Sequence, residues 1–259
     1  MTPLPFFQVD AFAGKAFEGN QAAVMPLTEW LPDNVMQAIA AENNLAETAF
    51  LVASEAETHE YDLRWFTPTV EVNLCGHATL ASAHILMHGD RIRFATKSGI
   101  LAVTRADGLL KLDMPAAPVE PADLPELTQA LGVDAPVFLS REGNGNAIVL
   151  LENEAAVRGV RPDFAALRLL PYLVSVTAPG DDTAVTSRVF AAFHGIDEDP
   201  VTGSAHSALV PFWAERLGRP HFTALQASKR GGLIDCEHRG DRAILGGQCV
   251  TVIEGHFQL

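Results

Sequence analysis

Three titratable residues, Glu47, His77 and Asp199, have the chemistry that proton transfer requires. Glu47 stands among apolar neighbours, and a carboxylate in a confined apolar site has its pKa raised, which suits it to carry protons near neutral pH. His77, with an ordinary pKa of about 6.5, could relay a proton or donate a hydrogen bond to a substrate. Each residue also has a plain structural alternative: a surface or capping carboxylate, a histidine bonded to its own backbone, and an Asx turn before Pro200.

Two glycines at helix starts indicate a binding site for an anion. Gly76 and Gly203 lie in a repeated stretch, residues 71–78 and 198–205, whose copies share Glu, Gly and Ala at a constant offset. The first N–H groups of a helix lack helical partners and carry a partial positive charge, so they bind a carboxylate without Lys or Arg. Ser204 is expected to be an ordinary N-cap that could also contact a substrate. The repeat predicts an internal duplication, although one such glycine alone would be ordinary loop punctuation.

The pattern around Glu47 predicts a junction between a helix and a strand. Apolar positions on one helical face predict a helix over residues 34–43, with Asp33 as its N-cap. Residues 48–52 have strand composition. We therefore expect Glu47 where a helix connection enters a sheet.

Strands and helices alternate irregularly along the rest of the chain. Alternating polar and apolar residues predict strands over 61–66 and 109–114, and small residues predict a helix over 78–87. A loop over 195–203 leads into a helix over 204–217. Both helices open directly after one copy of the repeated stretch, so the two glycines are expected at equivalent positions of two similar halves.

Composition argues against several classes of partner. The formal charge of −14 disfavours binding to nucleic acid. No stretch approaches about 18 uncharged apolar residues, so we expect no membrane-spanning helix, and the start lacks the basic region of a signal peptide. The three cysteines include no CxxC pair, which predicts a reduced chain without a disulfide framework. A cytoplasmic enzyme fits these features best.

Metal and nucleotide sites are not indicated by the sequence. His77, His84 and His88 fall near one face of a helix, but that face has no Asp or Glu ligand and the chain has no HExxH motif. The glycine motifs of dinucleotide-binding and P-loop proteins are missing too. We therefore expect neither a metal ion nor a cofactor.

Taken together, these motifs resemble the phenazine-biosynthesis isomerase-like (PhzF-like) family, which is related in fold to diaminopimelate epimerase. The matching stretches run in the family's order across almost the whole chain, at residues 10–12, 19–20, 44–50, 66–72, 75–81 and 198–205. The resemblance implies an α+β fold of two similar lobes, each a barrel-like, mostly antiparallel sheet around a central helix, with the active site between them. It also implies a homodimer that uses no cofactor.

The resemblance further implies domain boundaries and residue roles. The first lobe is expected over residues 1–116 with a returning strand in 248–259, and the second lobe over 117–247. Glu47 takes the proton-transfer role, while His77 and Asp199 orient the substrate or assist the proton. Substrate binding is expected at Gly19, Asn20, Gly76, Gly203 and Ser204.

The chain departs from the epimerase relatives at one position. The resemblance implies that those enzymes use two opposed cysteines, whereas this chain has Cys75 at the first position and Thr202 at the second. A two-thiol racemase is therefore disfavoured, and Cys75 is either a small loop residue or, as the lesser alternative, a chemical group.

Three functions stay open at this point. The first is an isomerase that shifts a proton on a small carboxylate-bearing substrate by general acid/base catalysis at Glu47. The second is a one-base epimerase or racemase of an amino-acid-type compound, and the third is a non-catalytic ligand-binding protein of the same fold. The residues that would select a particular substrate lie outside the motifs, so the sequence does not name the substrate.

Overall fold

In a computed structural model, which describes residues 3–140 and 145–259, the chain divides into two compact units. Unit 1 comprises residues 1–113 and 246–259, and unit 2 comprises residues 114–245. The boundaries expected from the sequence lie after residue 116 and before residue 248. Both units combine a mostly antiparallel sheet with one long buried helix, so the predicted α+β class is confirmed.

Unit 1 begins with a strand pair and places its central helix after the fifth strand. Its elements are β1 (Leu4–Ala11), β2 (Asn20–Leu27), α1 (Asp33–Asn43), β3 (Glu47–Ala53), β4 (Tyr61–Phe66), β5 (Glu71–Val72), α2 (Gly76–Leu86), β6 (Arg91–Thr96), β7 (Gly99–Ala106) and β8 (Leu109–Pro115).

Unit 2 has a similar order, with extra short helices between its strands. Its elements are β9 (Val119–Ala122), α3 (Pro125–Leu131), β10 (Val137–Ser140), β11 (Asn146–Leu150), α4 (Glu154–Gly159), α5 (Phe164–Leu167), β12 (Leu173–Pro179), β13 (Val185–Ala191), β14 (Ile196–Asp199), α6 (Gly203–Leu217), β15 (His221–Gln226), β16 (Gly232–Arg239) and β17 (Arg242–Gly247). The chain then enters β18 (Cys249–Phe257), which pairs antiparallel with β1 of unit 1.

The sheets of the two units are formed by the same series of strand pairings. In unit 1, β2 runs antiparallel to β1 and parallel to β3, β3 is antiparallel to β4, and β4 is parallel to β6. In unit 2, β10, β11, β12, β13 and β15 repeat these relations in the same order. Parallel neighbours need a crossover connection, which α1 supplies between β2 and β3, and α4 and α5 supply between β11 and β12. The repeated pairings support the internal duplication that the two short stretches predict.

A helix of small and apolar residues lies at the centre of each unit. In α2, residues 76–83 are all buried, and the helix contacts β1, β2, β3 and β18. In α6, residues 205–214 are buried, and the helix contacts β11, β12 and β16. A helix without a polar face is stable when it is surrounded by protein, as these two are. No helix in the described part of the chain is long and apolar enough to cross a membrane.

Pro211 lies inside α6 and ties the start of unit 2 to its central helix. A proline has no N–H, so the carbonyl of Ser207, four residues earlier, lacks its usual helical partner. The N–H of Ala117 takes that place, with an N–O distance of 2.9 Å. The segment that leads into β9 is therefore bonded directly to the helix.

Two local predictions are wrong. Asp33 is not the N-cap of α1 but its first helical residue after Pro32, and its carboxylate accepts a hydrogen bond from Arg64 instead of capping the helix. Residues 195–203 are not all loop, because Ile196–Asp199 forms β14. An acidic sequence has no strand pattern of its own, and the pairing with β13 stabilises this strand.

Candidate functional site

Glu47 begins β3, directly after the connection from α1. The C-cap of α1 is Asn44, which adopts a left-handed conformation with a φ of 49°, a conformation that asparagine tolerates better than most residues. Asn43 donates a hydrogen bond of 3.1 Å to the Thr48 hydroxyl, which holds this turn against the strand. In the parallel pairing of β2 and β3, Glu47 lies beside Ala22. Its position in the sheet is therefore fixed from both sides of the turn, as the sequence predicts.

His77 lies in the first turn of α2, and its ring contacts three side chains. Nδ1 is 3.2 Å from Asn20 Nδ2 and 3.6 Å from Cys75 Sγ, and Nε2 is 3.1 Å from Glu47 Oε2. The side chains of His77 and Glu47 are 5% and 12% exposed. The alternative of a histidine that bonds its own backbone is therefore wrong, because both ring nitrogens face other side chains.

The surroundings of His77 favour its charged form. Burial disfavours the imidazolium, but Cys75 and Glu47 act in the opposite direction and raise the pKa of His77 well above its ordinary value. Burial also raises the pKa of the Cys75 thiol to about 11, and the Glu47 carboxylate adds to this shift. The thiol is therefore neutral at pH 7 and supplies no charge to His77 there, so that near neutral pH only the Glu47 carboxylate favours the imidazolium.

Glu47 and His77 face one another without forming a hydrogen bond. Glu47 Oε2 and His77 Nε2 are 3.1 Å apart, yet neither atom has a hydrogen-bond partner of suitable geometry within residues 3–140 and 145–259. Buried polar atoms in folded proteins are nearly always satisfied, and an exception requires an explanation. These two atoms are available to a third group.

The same cluster contains the donors that could hold a metal ion. One donor atom from each of Glu47, Cys75 and His77 lies within 4.8 Å of the others. The thiol contacts Nδ1 of the imidazole at 3.6 Å, whereas the carboxylate contacts Nε2 at 3.1 Å. A single ion binds one nitrogen of a histidine, so an ion held by Glu47 at Nε2 would leave the Cys75 thiol at the other nitrogen. The arrangement suits a proton path better than an ion, and the lack of a metal stays a prediction.

Gly19 and Asn20 bring an amide to the histidine. Gly19 has a φ of 65°, and a Cβ atom at this position would overlap the carbonyl oxygen of Ala11, so glycine is required in this turn. The turn places Asn20 at the first position of β2, opposite Ala11. If the Asn20 N–H donates to Nδ1, His77 is neutral and its ring proton lies on Nε2, the nitrogen that faces Glu47; an imidazolium has a proton on both nitrogens and needs the amide oxygen at Nδ1.

In unit 2, Asp199 and Thr202 belong to a hydrogen-bond network that also includes His206, whose buried Nε2 has no partner among the described residues. Thr202 Oγ1 donates to Asp199 Oδ2 at 2.5 Å. The Gln226 side chain accepts from the Thr202 N–H at 2.9 Å and donates to the Asp199 carbonyl at 2.7 Å. His206 lies 2.8 Å from the Thr202 carbonyl through Nδ1, and all four residues are buried. The network holds the end of β14 against the start of α6.

The central helix of unit 2 begins at Gly203, which makes Thr202 the N-cap and Ser204 the second helical residue. The prediction that Ser204 is the N-cap is therefore wrong, because Gly203 already has the helical conformation. The N-cap residues of α6 and of α2, which begins at Gly76, make no side-chain capping bond. The first N–H groups of both helices are left without a side-chain cap.

Gln226 and His206 are part of this network but were not predicted from the sequence. The bonds of Gln226 reach residues 24 and 27 positions earlier, and a single glutamine at a strand end gives no local signal for them. His206 lies one helical turn after Thr202, and this spacing could have indicated its contact with the N-cap carbonyl. Burial lowers the pKa of His206 to about 4, so its imidazole is neutral at pH 7.

Comparisons with known proteins agree with this architecture. Residues 9–255 match the family model described as phenazine biosynthesis-like protein. An uncharacterized isomerase of Pseudomonas aeruginosa is 49% identical over 263 residues, which cover 99% of each chain. A solved structure of a PhzF-family phenazine biosynthesis protein from Enterococcus faecalis is 42% identical, with a TM-score of 0.93 over 100% of both chains. A hydroxyproline epimerase from Agrobacterium vitis has a TM-score of 0.64 at 12% identity over 98% of this chain and 92% of its own, a likeness of fold alone.

Proposed function

The chain belongs to the phenazine biosynthesis-like family and is an isomerase, and we propose that it moves a proton on a small carboxylate-bearing substrate, with Glu47 as the proton carrier. One observation carries this proposal. The buried atoms Glu47 Oε2 and His77 Nε2 face each other at 3.1 Å, and neither has a hydrogen-bond partner in the described ranges. A substrate group that enters this site would meet a base and a charged hydrogen-bond donor at once.

In the proposed reaction, Glu47 enters as a carboxylate and takes a proton from a carbon of the substrate. The electron pair of the broken C–H bond moves into the substrate, so a double bond shifts and a second carbon becomes basic. Glu47 then gives the proton to that second carbon and is a carboxylate again. Every electron and proton stays within the enzyme and the substrate, so the reaction needs no co-reactant.

His77 has the role of balancing charge in this scheme. Its raised pKa favours an imidazolium beside the Glu47 carboxylate before the substrate reacts. When the proton reaches Glu47, negative charge develops on the substrate, where the imidazolium stabilises it. An imidazolium carries a proton on Nδ1, so the Asn20 amide, 3.2 Å away, fixes the orientation of the charged ring by turning its oxygen to that proton. His77 therefore assists the proton transfer while Glu47 carries the proton.

We assign substrate orientation to residues of unit 2 and to the two helix starts. The bond from Thr202 holds the Asp199 carboxylate in one position, which suits orientation better than repeated proton transfer. The helix starts at Gly76 and Gly203 offer N–H groups and a partial positive charge to a substrate carboxylate. Ser204 adds a hydroxyl in the first turn of its helix.

A one-base epimerase is the second candidate, because one carboxylate can also remove and return a proton at a single carbon. A two-thiol epimerase is disfavoured, since Thr202 stands where the second thiol would be and the first, Cys75, has a pKa of about 11. A non-catalytic binding protein is the third candidate. The homodimer and the independence from cofactors are further proposals that follow from the resemblance.

Exchange of substrate hydrogens with solvent deuterium tests the proposal. We expect NMR to detect exchange for at least one of a panel of unsaturated and amino-acid-type carboxylic acids. Glu47→Gln keeps the shape of the side chain but cannot accept a proton, so the rate should fall by about 10²–10⁴-fold. Glu42→Gln, on the exposed face of α1, is the matched control and should exchange at the wild-type rate.

The outcomes of this experiment separate the three candidates. Exchange with a shifted double bond identifies the isomerase, and exchange with loss of optical activity identifies the epimerase. Binding of a panel compound without any exchange identifies a binding protein. An unchanged rate in Glu47→Gln contradicts the role of Glu47.

A further inference from the structure

Each unit contains an arginine–glutamate pair of the same construction just ahead of its central helix. In unit 1, Arg64 Nε is 2.8 Å from Glu71 Oε1, and Nη2 is 2.9 Å from Oε2. In unit 2, Arg188 and Glu198 give the same two distances through the same atoms. Two parallel N–H···O bonds between a guanidinium and a carboxylate fix the angle between the groups as well as their separation.

The two pairs also share their surroundings. In each unit the guanidinium lies over the phenylalanine two residues later in the same strand, 5.2 Å from the ring centre of Phe66 and 5.0 Å from that of Phe190. In each unit the glutamate stands five residues before the glycine that begins the central helix. The same arginine–glutamate pair, stacked on a phenylalanine, therefore recurs at the same place in two segments of different sequence.

The remaining nitrogen of each guanidinium, Nη1, contacts the helix that connects the parallel strands or the residue directly after it. Arg64 Nη1 is 2.9 Å from Asp33 Oδ1, at the first residue of α1. Arg188 Nη1 is 2.9 Å from the carbonyl oxygen of Val160, the C-cap residue directly after α4. One side chain thus links three parts of a unit: a central strand, the crossover helix, and the segment that enters the central helix.

Partial burial distinguishes these pairs from ordinary surface ion pairs. The side chains of Arg64 and Glu71 are 20% and 18% exposed, and those of Arg188 and Glu198 are 12% and 24% exposed. Ion pairs on the surface contribute only about 0–1 kcal/mol, because water screens them and flexible side chains must be ordered. The hydrogen bonds from Arg64 lower the pKa of Glu71 to about 2, so this carboxylate stays charged at every physiological pH.

We propose that Arg64 and Arg188 are positioning residues that set the direction in which the chain enters the two central helices. In unit 1 that segment leads to His77, and in unit 2 it contains Asp199. Enzyme rates are sensitive to placement, and an error of about 1 Å can lower a rate about 10²-fold. The effect on the rate rests on the proposed function, whereas the placement of His77 against Glu47 can be measured without a substrate.

Arg64→Lys and Arg93→Lys provide a matched comparison within unit 1. Lysine keeps the charge but cannot form two parallel bonds, and Arg93 makes an ion pair with Glu60 whose side chains are more exposed, at 28% and 43%. The full chain, labelled with ¹⁵N-histidine, is observed by NMR without ligand. The rate at which it exchanges substrate hydrogens with solvent deuterium is then measured. In Arg64→Lys we expect a shifted His77 signal and a pKa closer to the ordinary value, because the ring moves away from Glu47. Exchange should slow by about 10–100-fold, while Arg93→Lys should keep the wild-type signal and rate.

An unchanged His77 signal and titration in Arg64→Lys would overturn the inference for unit 1. A shifted signal in a protein whose wild type exchanges no substrate hydrogen would keep the positioning role and overturn the proposed function. If Arg64→Lys does not fold, Glu71→Gln is tested by the same NMR signal of His77, and an unchanged signal again overturns the inference.

In unit 2, Arg188→Lys should raise KM about 10-fold and lower kcat less, because the segment that Arg188 positions orients the substrate. An unchanged KM overturns the inference for unit 2.

Discussion

The starts of the two central helices have the same backbone and different chemistry. In unit 1, α2 begins after Cys75, and His77 presents an unsatisfied ring nitrogen 3.1 Å from Glu47. In unit 2, α6 begins after Thr202, whose N–H, carbonyl and hydroxyl are all engaged by Gln226, His206 and Asp199. In unit 1 the unsatisfied nitrogen faces a carboxylate, whereas in unit 2 the carboxylate of Asp199 is bonded to Thr202 and the unsatisfied atom is Nε2 of the neutral His206.

Under the proposed function, this difference gives two tasks to one type of turn. A buried acid and base that face only each other can exchange a proton with a ligand, whereas a carboxylate that accepts a short hydrogen bond is kept in one place. The scaffold itself is shared. In both helices the residue four positions after the N-cap contacts the N-cap carbonyl, Thr79 Oγ1 at 2.6 Å from Cys75 and His206 Nδ1 at 2.8 Å from Thr202. The same backbone can therefore support proton transfer or rigid orientation, depending on a few side chains.

The pH dependence of stability should separate the two starts most strongly. The pKa of folded His206 is about 4, below the ordinary value of about 6.5, so its contribution is present above about pH 6.5 and is lost as the pH falls to about 4. A shift of this size corresponds to about 3 kcal/mol. The pKa of folded His77 is raised, so its contribution is present below about pH 6.5 and is lost as the pH rises through the folded pKa.

Urea unfolding from about pH 5 to about pH 9 measures these two contributions. We expect His206→Gln to lose less stability on acidification than the wild type, because the buried neutral imidazole is gone. His77→Gln should lose less stability on the alkaline side. Parallel curves for the wild type and both variants would show that the two histidines do not differ in this way.

The elements of the fold are predictable where their sequence is periodic. The strand predicted over 61–66 is observed as Tyr61–Phe66, and the helix predicted over 204–217 is observed as Gly203–Leu217. β5 and β14 were not predicted, because one has two residues and the other is acidic. Such strands are stabilised by the neighbours with which they pair, and these pairings have no local signature.

The sequence indicated only some residues of the candidate site and none of their contacts. Glu47 and His77 were identified by their types and their neighbours in sequence. The contact between Asn20 and His77 joins residues 57 positions apart, and it depends on the packing of α2 against β2. The network around Thr202 depends on Gln226, from a strand that follows α6. Polar contacts between distant segments follow from the tertiary fold, and no local sequence pattern predicts them.

A smaller effect is expected when one hydroxyl is removed from the hydrogen-bond network around Thr202. Thr202→Val keeps the shape of the side chain but removes the donor to Asp199 Oδ2. We expect this variant to be about 1–2 kcal/mol less stable, because a buried acceptor loses a bond. Thr128→Val removes a solvent-exposed hydroxyl bond in α3 and should change stability by less than about 0.5 kcal/mol. Urea unfolding near neutral pH compares the two, and equal stabilities would mean that the network does not hold this helix start.

The smallest effect is expected at Cys75. If the thiol were the base, the helix start of unit 1 would act through Cys75 and not through Glu47. Burial raises its pKa to about 11, so that only about one molecule in 10⁴ has a thiolate at pH 7. Cys75→Ser keeps the size of the side chain and its contact with Nδ1 of His77. Deuterium exchange should therefore stay within about twofold of the wild-type rate, a change of less than about 0.5 kcal/mol in the barrier.

The decisive measurement places Cys75→Ser beside Glu47→Gln under the same conditions. If the carboxylate carries the proton, only the glutamate variant loses exchange, since the neutral thiol merely packs against the imidazole. If Cys75→Ser loses exchange and Glu47→Gln keeps it, the thiol is the base. The raised pKa of His77 would then reflect an imidazolium that stabilises a thiolate. In that case the helix start of unit 1 would work by thiol chemistry, Thr202 would mark the loss of the second thiol, and a one-base epimerase would replace the isomerase as the leading function.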